Sequence, residues 1–330
     1  MRFHTYWVTG TRTIRGHETT LRVGSDHSEN DARERMAAAF DEIEAFQTRL
    51  QALTENEKRT RPFRDGREPD PGKTAIRALR ERFHKQLTEL FGNRAADGTY
   101  EQPICEEILR RIDPRNVITR NRYGAEVLNS ETVCFLDIDD GADAIQSCIL
   151  GCLGAIFILP FLVLGDLFGL GGNVPHDGRK LFARLRRLIR EPATADLAFR
   201  LYRTAAGYRV IVNGAGLAPD SERFNLLVKR LHVDPLYAIL CRKQRCFRAR
   251  LTPKPHRLRQ KQLLYPSAAR YPITDPALRA AVDAWLPAYT ERCRRYAVCR
   301  FLGEVGTPFR NPIVTLHDEA TGALSNRPLR

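Results

Sequence analysis

The 330-residue sequence lacks the short motifs by which several large enzyme classes are identified. It has no glycine-rich phosphate loop, no serine in a nucleophile elbow and no H-E-x-x-H zinc motif. These absences exclude the simplest forms of P-loop nucleotide hydrolase, α/β-hydrolase and zinc protease.

Acidic residues are scarce relative to basic ones. The chain has 39 Asp and Glu against 53 Lys and Arg, which gives a formal net charge of +14. Such an excess favours polyanionic partners, such as nucleic acid, nucleotides or an anionic membrane surface. The alternative is an arginine-rich composition spread over every surface. The places where the charges cluster therefore matter more than their total.

Cysteine is present, but its spacing does not favour a zinc site. Four residues separate Cys241 from Cys246 and five separate Cys293 from Cys299. Paired zinc ligands usually have about two to four residues between them, so zinc is not expected. The first 24 residues alternate polar and apolar types and contain several Arg and His, which is not typical of a signal peptide. We expect a reducing, cytoplasmic location.

Hydrophobic periodicity predicts both strands and helices. Residues 3–8 and 11–23 read as a β-hairpin with Thr9–Gly10 at its turn, and Ser28 caps a following helix. Later strands and helices mix without a regular βαβ repeat, which predicts an α+β fold with a mainly antiparallel sheet and flanking helices. The predicted segments are an N-terminal hairpin and helix (1–53), a linker (54–72), the first part of the core (73–143), an apolar insert (144–178), and the second part of the core with a C-terminal helix (179–330).

Three shorter segments receive predictions of their own. A short helix is expected to begin near Pro103 and to run through Ile112, and a strand is expected at 236–241. His317–Asp318 has no second His/Asp pair to complete a metal site, so it is interpreted as a surface turn.

Residues 144–165 carry no charged side chain and are long enough for a membrane-spanning helix. Three interpretations stay open: a true span, a helix that dips into the membrane from one side, and a buried soluble helix. Under the first two, the protein is attached to the inner face of the cell membrane, with the basic residues from Arg179 to Arg190 on anionic headgroups. The predicted membrane-contacting residues are Ile149, Leu153, Ile156, Phe157, Leu159, Phe161 and Leu164.

The strongest chemical signal is the apolar run Thr132–Asp140, which ends in three carboxylates. Alternate residues of a strand share a face, so Asp137 and Asp139 project together. Two carboxylates placed in this way suit Mg²⁺ or Mn²⁺, the oxygen-liganded cations of phosphoryl and nucleotidyl transfer. A strand that ends in an acidic turn is the structural alternative.

Two basic segments are candidates for phosphate binding. A small-residue turn between two strands places Gly207 between Arg203 and Arg209, although an ordinary hairpin turn has the same composition. Further along, Arg248 and Arg250 alternate with apolar residues on a predicted strand, and Lys254 follows in a proline-rich loop. Two arginines on one face suit a triphosphate or a nucleic-acid backbone, and a solvated charged face is the alternative.

Four motifs together resemble a family of uncharacterised bacterial proteins over most of the chain. They are Asn121–Gly124, Phe135–Asp139, Tyr202–Thr204 with Gly207, and Phe247–Pro255. More remotely, their order is similar to that of the catalytic core of archaeo-eukaryotic-type primases and primase-polymerases. Those enzymes have an Asp-x-Asp on a strand, a histidine after a small-residue turn, and a third acid further on.

The primase resemblance implies roles for specific residues. Asp137 and Asp139 would be metal ligands and Asp234 the third acid. The histidine position falls on Tyr208 or Arg209, which implies a degenerate or differently specialised member. The leading hypothesis is thus a metal-dependent protein that processes nucleotides or nucleic acid. The alternative is a non-catalytic, membrane-associated protein that binds nucleic acid or anionic lipid through its basic surface.

Overall fold

The structure, a computed structural model, describes residues 1–60, 71–91, 101–139, 178–259, 271–273 and 275–330. The chain divides into two units. One comprises Arg2–Ile104, and the other comprises Met1 together with Cys105–Arg330. The second unit holds the residues with predicted chemistry.

The N-terminal unit contains the β-hairpin that the sequence predicts. Strands β1 (Tyr6–Ile14) and β2 (His17–Ser25) pair antiparallel, and their turn lies at Arg15–Gly16, where both residues have positive φ. The predicted turn at Thr9–Gly10 is wrong, because Gly10 lies inside β1 and pairs with Leu21. A glycine in a strand reads as a turn from sequence alone, and only the pairing corrects it.

Two helices follow the hairpin, α1 (Glu29–Thr60) and α2 (Pro71–Leu90). The Ser28 hydroxyl accepts a hydrogen bond from the Asp31 N–H over 3.0 Å, as expected of a capping residue. Apolar residues from both helices and both strands share one core: Ile14, Leu21, Ala39, Phe40, Ile43 and Leu87. This core accounts for the periodic apolar positions in the first helix.

The C-terminal unit is built on two antiparallel sheets. Its strands are β3 (Glu107–Asp113), β4 (Asn116–Arg120), β5 (Glu126–Ser130), β6 (Cys134–Asp139), β7 (Ala198–Thr204), β8 (Gly207–Asn213), β9 (Phe247–Arg250) and β10 (Cys299–Val305). Sheet I has the strand order β10-β7-β8-β6, and sheet II has the order β3-β4-β5-β9. The helices in the described part of this unit are α3 (Gly178–Leu188), α4 (Glu222–Leu231), α5 (Pro235–Gln244), α6 (Pro276–Cys293) and α7 (Pro312–Thr321). The predicted α+β class with antiparallel sheets is confirmed.

One face of sheet I lies under α7 and is called the α7 face. It carries Phe135 and Asp137 of β6, and the register places Arg209 of β8 and Tyr202 of β7 in the same row as Asp137. The His317 ring of α7 lies 5.5 Å from the Phe135 ring and 5.3 Å from the Tyr202 ring, measured between centroids. The row of polar residues is therefore covered by a helix.

The opposite face of sheet I packs against α3 and is called the α3 face. It carries Ile138, which pairs with Tyr208, and Tyr208 pairs in turn with Arg203. Gly178 at the start of α3 lies against the Tyr208 ring, since a Cβ at this glycine would come within 3.4 Å of it. Leu185 of α3 is fully buried in the same core.

The edge strands of the two sheets, β6 and β9, adjoin, and we call their junction the seam. The Tyr237 hydroxyl from α5 bridges it by donating to the Phe135 carbonyl over 2.7 Å and accepting from the Arg248 N–H over 3.3 Å. On the α7 face, Arg209 Nη1 donates to the Arg250 carbonyl over 3.0 Å. One phenol and one guanidinium thus connect the two edges.

Two local predictions are wrong. The expected helix through Ile112 is strand β3, because this segment pairs with β4 along its length. The expected strand at 236–241 lies in helix α5, which starts with Asp234 as N-cap and Pro235 in the first helical position. That Asp-Pro pair is itself a helix-start signal in the sequence.

The apolar insert cannot be compared with its prediction. Residues 140–177 lie outside the described part of the chain, and with them all seven predicted membrane-contacting residues, from Ile149 to Leu164. Within the described ranges, the helices are too short or too polar to cross a membrane.

Candidate functional site

Asp137 is held by a buried arginine on the neighbouring strand. Arg209 Nε lies 2.9 Å from Asp137 Oδ1, and Arg209 Nη2 lies 3.4 Å from Oδ2. Arg209 is only 2% exposed, whereas the Asp137 side chain keeps 30% exposure. Burial alone would lower the pKa of Arg209, but the charge and hydrogen bond of Asp137, together with Cys299 and Tyr237, outweigh burial and raise that pKa. The pair therefore presents an oriented carboxylate that solvent still reaches.

His317 continues this network on the α7 face. Its Nε2 lies 3.2 Å from Arg209 Nη1, and its Nδ1 lies 2.9 Å from Asp318 Oδ1. An arginine can only donate, so Nε2 is the acceptor and Nδ1 carries the proton that goes to Asp318. Burial lowers the pKa of His317, against the opposing effect of Asp318. His317 is therefore a neutral link between the two charged residues.

Arg200 closes the network at its far end. Its Nη2 lies 2.9 Å from Asp318 Oδ2, its Nε donates to the Tyr202 hydroxyl over 2.8 Å, and it also pairs with Glu304. The result is a chain of alternating charges across the sheet. The expectation of a surface turn at His317–Asp318 is wrong, because these residues are 0% and 6% exposed.

Asp234 lies beside Asp137, although nearly 100 residues separate them in sequence. The Asp234 N–H donates to the Asp137 carbonyl over 3.0 Å. The Asp234 carboxylate caps α5 by accepting from the Leu236 N–H over 2.9 Å. Burial raises the pKa of Asp234, and the Asp137 charge adds to that rise while Lys254 opposes it. The fold thus brings Asp137 and Asp234, two predicted metal ligands, close to Lys254, a predicted phosphate-binding residue.

Arg250 provides a cation at the same place. Its guanidinium is partly buried and forms no hydrogen bond or ion pair with the residues that the structure describes. Burial lowers its pKa, the nearby charges of Arg209 and Arg257 lower it further, and Asp137 opposes them. The N–H groups of the Arg250 guanidinium are therefore available to donate hydrogen bonds to an anion.

Arg248 is differently placed from Arg250, although both lie on the same face of β9. Arg248 Nη2 lies 2.7 and 2.6 Å from the two Glu106 oxygens, and its Nη1 donates to the Gln244 side chain over 2.9 Å. The side chains of this ion pair are 10% and 15% exposed. The predicted phosphate ligand is therefore engaged within the protein.

The turn between β7 and β8 does not bring all of its predicted residues to Asp137. Arg203 belongs to the α3 face, where its guanidinium lies 4.7 Å from the Tyr208 ring centroid and donates to the Gly207 carbonyl over 3.2 Å. The Gly207 backbone pairs with Asp139 at the end of β6. The Asp139 side chain lies outside what the structure describes.

No group of three or more His, Cys, Asp or Glu side chains that could hold a metal occurs among the described residues. This set does not include the Asp139 side chain. The Cys241 and Cys246 thiols are fully buried, and burial raises the pKa of each to about 12. Both are therefore protonated at neutral pH.

The comparisons with known proteins add no relative. No family model, curated protein or solved structure matches this chain. The resemblance to primases therefore stays a prediction that depends on the motifs.

Three residues of this network were not singled out as functional from the sequence: His317, Asp318 and Arg200. A signal for their helix exists, since Asn311–Pro312 is a typical helix start and Gly322 a typical helix end. It predicts a helix where a turn was expected. It does not predict which sheet face that helix covers.

Proposed function

We propose that this protein is a metal-dependent nucleotide- or nucleic-acid-processing protein with its site at the seam. The observation that carries the proposal is the meeting of Asp137 and Asp234 through one backbone hydrogen bond, with the Arg250 guanidinium close enough to respond to the Asp137 charge. Such chemistry requires carboxylates that hold a divalent metal ion and a basic side chain that neutralises phosphate.

The donor chemistry fits Mg²⁺ or Mn²⁺, which prefer carboxylate oxygens. The two oxygens of Asp137 accept bonds from Arg209, but a carboxylate has about four acceptor positions and this side chain is exposed to solvent. The raised pKa of Asp234 reflects burial and repulsion by Asp137, and a dication between the two acids would relieve that repulsion. Asp137 and Asp234, with Asp139 as the third expected ligand, would hold the metal.

A bound divalent cation supplies an activated hydroxyl and stabilises a leaving pyrophosphate in nucleotidyl transfer. The chain's own residues contribute the rest. Arg250 neutralises a phosphate group, and Lys254 adds positive charge beside Asp234. Arg209 keeps the Asp137 carboxylate in one orientation from below the sheet surface.

A pair of matched variants tests the proposal. Asp234→Asn keeps the helix cap, since Asn and Asp cap equally well, but removes the charge. Asp275→Asn makes the same change at α6, where Asp275 caps the Ala277 and Leu278 N–H groups and is likewise followed by a proline. We expect Mn²⁺-dependent binding of a labelled nucleoside triphosphate to weaken about tenfold or more in Asp234→Asn and to persist in Asp275→Asn.

Arg250→Gln provides the second arm of this experiment. It is expected to weaken nucleotide binding by about tenfold with little change in stability, because the guanidinium forms no hydrogen bond with described residues. The proposal fails if the unmodified protein binds no nucleotide with Mn²⁺, or if the two Asp→Asn variants behave alike.

A further inference from the structure

Helix α3 presents a second basic surface, away from the seam. Its exposed positions are almost all basic, and α3 has no acidic residue. A groove of about 480 Å³ runs along it, lined by Arg179, Phe182, Ala183, Arg186, Arg187 and Arg190. Since α3 packs on the α3 face of sheet I, this surface is not part of the Asp137 network.

Four of the cations on this surface are not engaged within the part of the protein that the structure describes. Lys180, Arg186, Arg187 and Arg190 form no side-chain hydrogen bond or ion pair with the described residues. Glu191, the acid that follows α3 in sequence, has Arg230 as its partner at 3.3 Å. Unpaired exposed arginines at this density repel one another, so a polyanion that binds them relieves the repulsion.

The buried side of α3 distinguishes a membrane-binding helix from one that binds a polyanion such as nucleic acid. Leu181, Leu185 and Leu188 are 3%, 0% and 3% exposed, because they pack in the core of the C-terminal unit. A helix that binds membranes by lying in the interface needs its apolar side for the lipid. In this protein the apolar side of α3 is buried in the core, so only its basic side chains are available to a ligand.

The spacing of the arginines suits a regular chain of phosphates. Arg179 and Arg186 are separated by seven residues and therefore share one ridge of the helix, and Arg190 follows in the turn just after Leu188. At about 1.5 Å per residue the ridge is about 10 Å long. This length corresponds to about three phosphates at about 3.4 Å per step of a nucleic-acid strand.

We propose that the exposed face of α3 binds the sugar-phosphate backbone of a nucleic acid without reading its sequence. The guanidinium groups suit phosphate because each donates two parallel hydrogen bonds. The inference does not depend on the function proposed for the seam, because the two surfaces lie on opposite faces of sheet I.

The test is a triple variant of the full chain, Arg186→Gln/Arg187→Gln/Arg190→Gln, assayed with a labelled single-stranded oligonucleotide over a series of salt concentrations. The substituted side chains are exposed, so the fold is expected to persist. Losing three phosphate contacts reduces the slope of log K against log salt by about 2 and weakens binding at 0.1 M salt on the order of a hundredfold.

A second triple variant, Arg279→Gln/Arg294→Gln/Arg295→Gln, controls for net charge. It removes the same number of charges from arginines that already have acidic partners. We expect it to bind the oligonucleotide nearly as well as the unmodified protein. An equal loss in both variants would show that only total charge matters, and would overturn the proposal.

Two more results decide the outcome. If the α3 variant keeps its oligonucleotide affinity but no longer sediments with phosphatidylserine vesicles, α3 is a lipid-binding surface and the proposal is wrong. Mn²⁺-dependent nucleotide binding at the seam is expected to be unchanged in the α3 variant. This readout separates a failure at α3 from a failure of the function proposed for the seam.

Discussion

The N–H of Asp234 donates to the carbonyl of Asp137 over 3.0 Å, and this one backbone bond joins the start of α5 to the strand that carries the predicted acids. Directly below, Arg209 holds the Asp137 carboxylate from a buried position. The same carboxylate therefore has two neighbours with opposite effects. Arg209 attracts the Asp137 charge, while the Asp234 carboxylate repels it.

The first prediction concerns the stability of this arrangement. Asp137→Ala leaves the buried Arg209 without its counterion, so we expect a loss of about 3 kcal/mol in the free energy of unfolding. Urea denaturation measures it. A matched control is Asp220→Ala, since Asp220 pairs with Arg245 at the surface with 58% exposure. This control is expected to show no measurable loss.

The double variant Asp137→Asn/Arg209→Gln extends that measurement. Replacing both charges together removes the unpaired cation, so the double variant is expected to be more stable than Asp137→Ala. If Asp137→Ala is as stable as the surface control, Arg209 does not need Asp137 as a counterion. The role of Arg209 in orienting the carboxylate would then be rejected.

The second prediction concerns the phenol that bridges the seam. Tyr237→Phe removes a hydroxyl that bonds to the Phe135 carbonyl and the Arg248 N–H, both of which belong to edge strands. We expect a loss of about 1 to 3 kcal/mol, because buried main-chain groups lose a partner. Tyr296→Phe is the control, because this ring is partly exposed. Equal stability of the two variants in urea would contradict the bridging role.

The alternation of apolar and polar residues predicted much of this fold. This alternation predicted the β-hairpin, the strand that ends at Asp139 and the paired strands around Gly207. These are local patterns that each segment carries in its own residues. The antiparallel α+β class follows from them, because short turns connect most of the neighbouring strands.

Sheet order and helix placement could not be predicted in the same way. Asp137 faces Arg209 because β6 pairs with β8. His317 reaches Arg209 because α7 covers that face of the sheet. Nothing near Asp137 in sequence specifies either contact. Alternation predicted that Arg248 and Arg250 share a face, but their different partners depend on Glu106, which is distant in sequence.

The third prediction concerns the ion pair between Arg248 and Glu106. Glu106 accepts two hydrogen bonds from Arg248 and one from the Thr119 hydroxyl over 2.6 Å, with little exposure to solvent. Glu106→Ala leaves the Arg248 charge buried without its partner and is expected to cost about 3 kcal/mol of unfolding free energy in urea. Glu291→Ala, at a 56% exposed residue that pairs with Arg294, is expected to change little. If both variants unfold at the same urea concentration, Arg248 is not held by Glu106, and its engagement within the protein is rejected.

The fourth prediction follows from the neutral state of His317. Arg209, Asp318 and, at longer range, Asp137 are the charged groups that act on this ring, and burial is the largest reason why its pKa is lowered. An unfolded histidine titrates near about 6.5. Between that pH and the lower pKa of the folded state, the unfolded chain binds the extra proton. Stability is therefore complete above about pH 6.5 and falls as the pH drops below it.

His317→Gln isolates this contribution from those of His4 and His232, whose pKa values burial also lowers. We expect the unmodified protein to lose stability below about pH 6.5 more steeply than the variant, by up to about 1.4 kcal/mol per pH unit. Urea denaturation at a series of pH values measures the difference. Identical slopes would mean that His317 takes up its proton as easily in the fold as in the unfolded chain. The neutral ring between Arg209 and Asp318 would then be wrong.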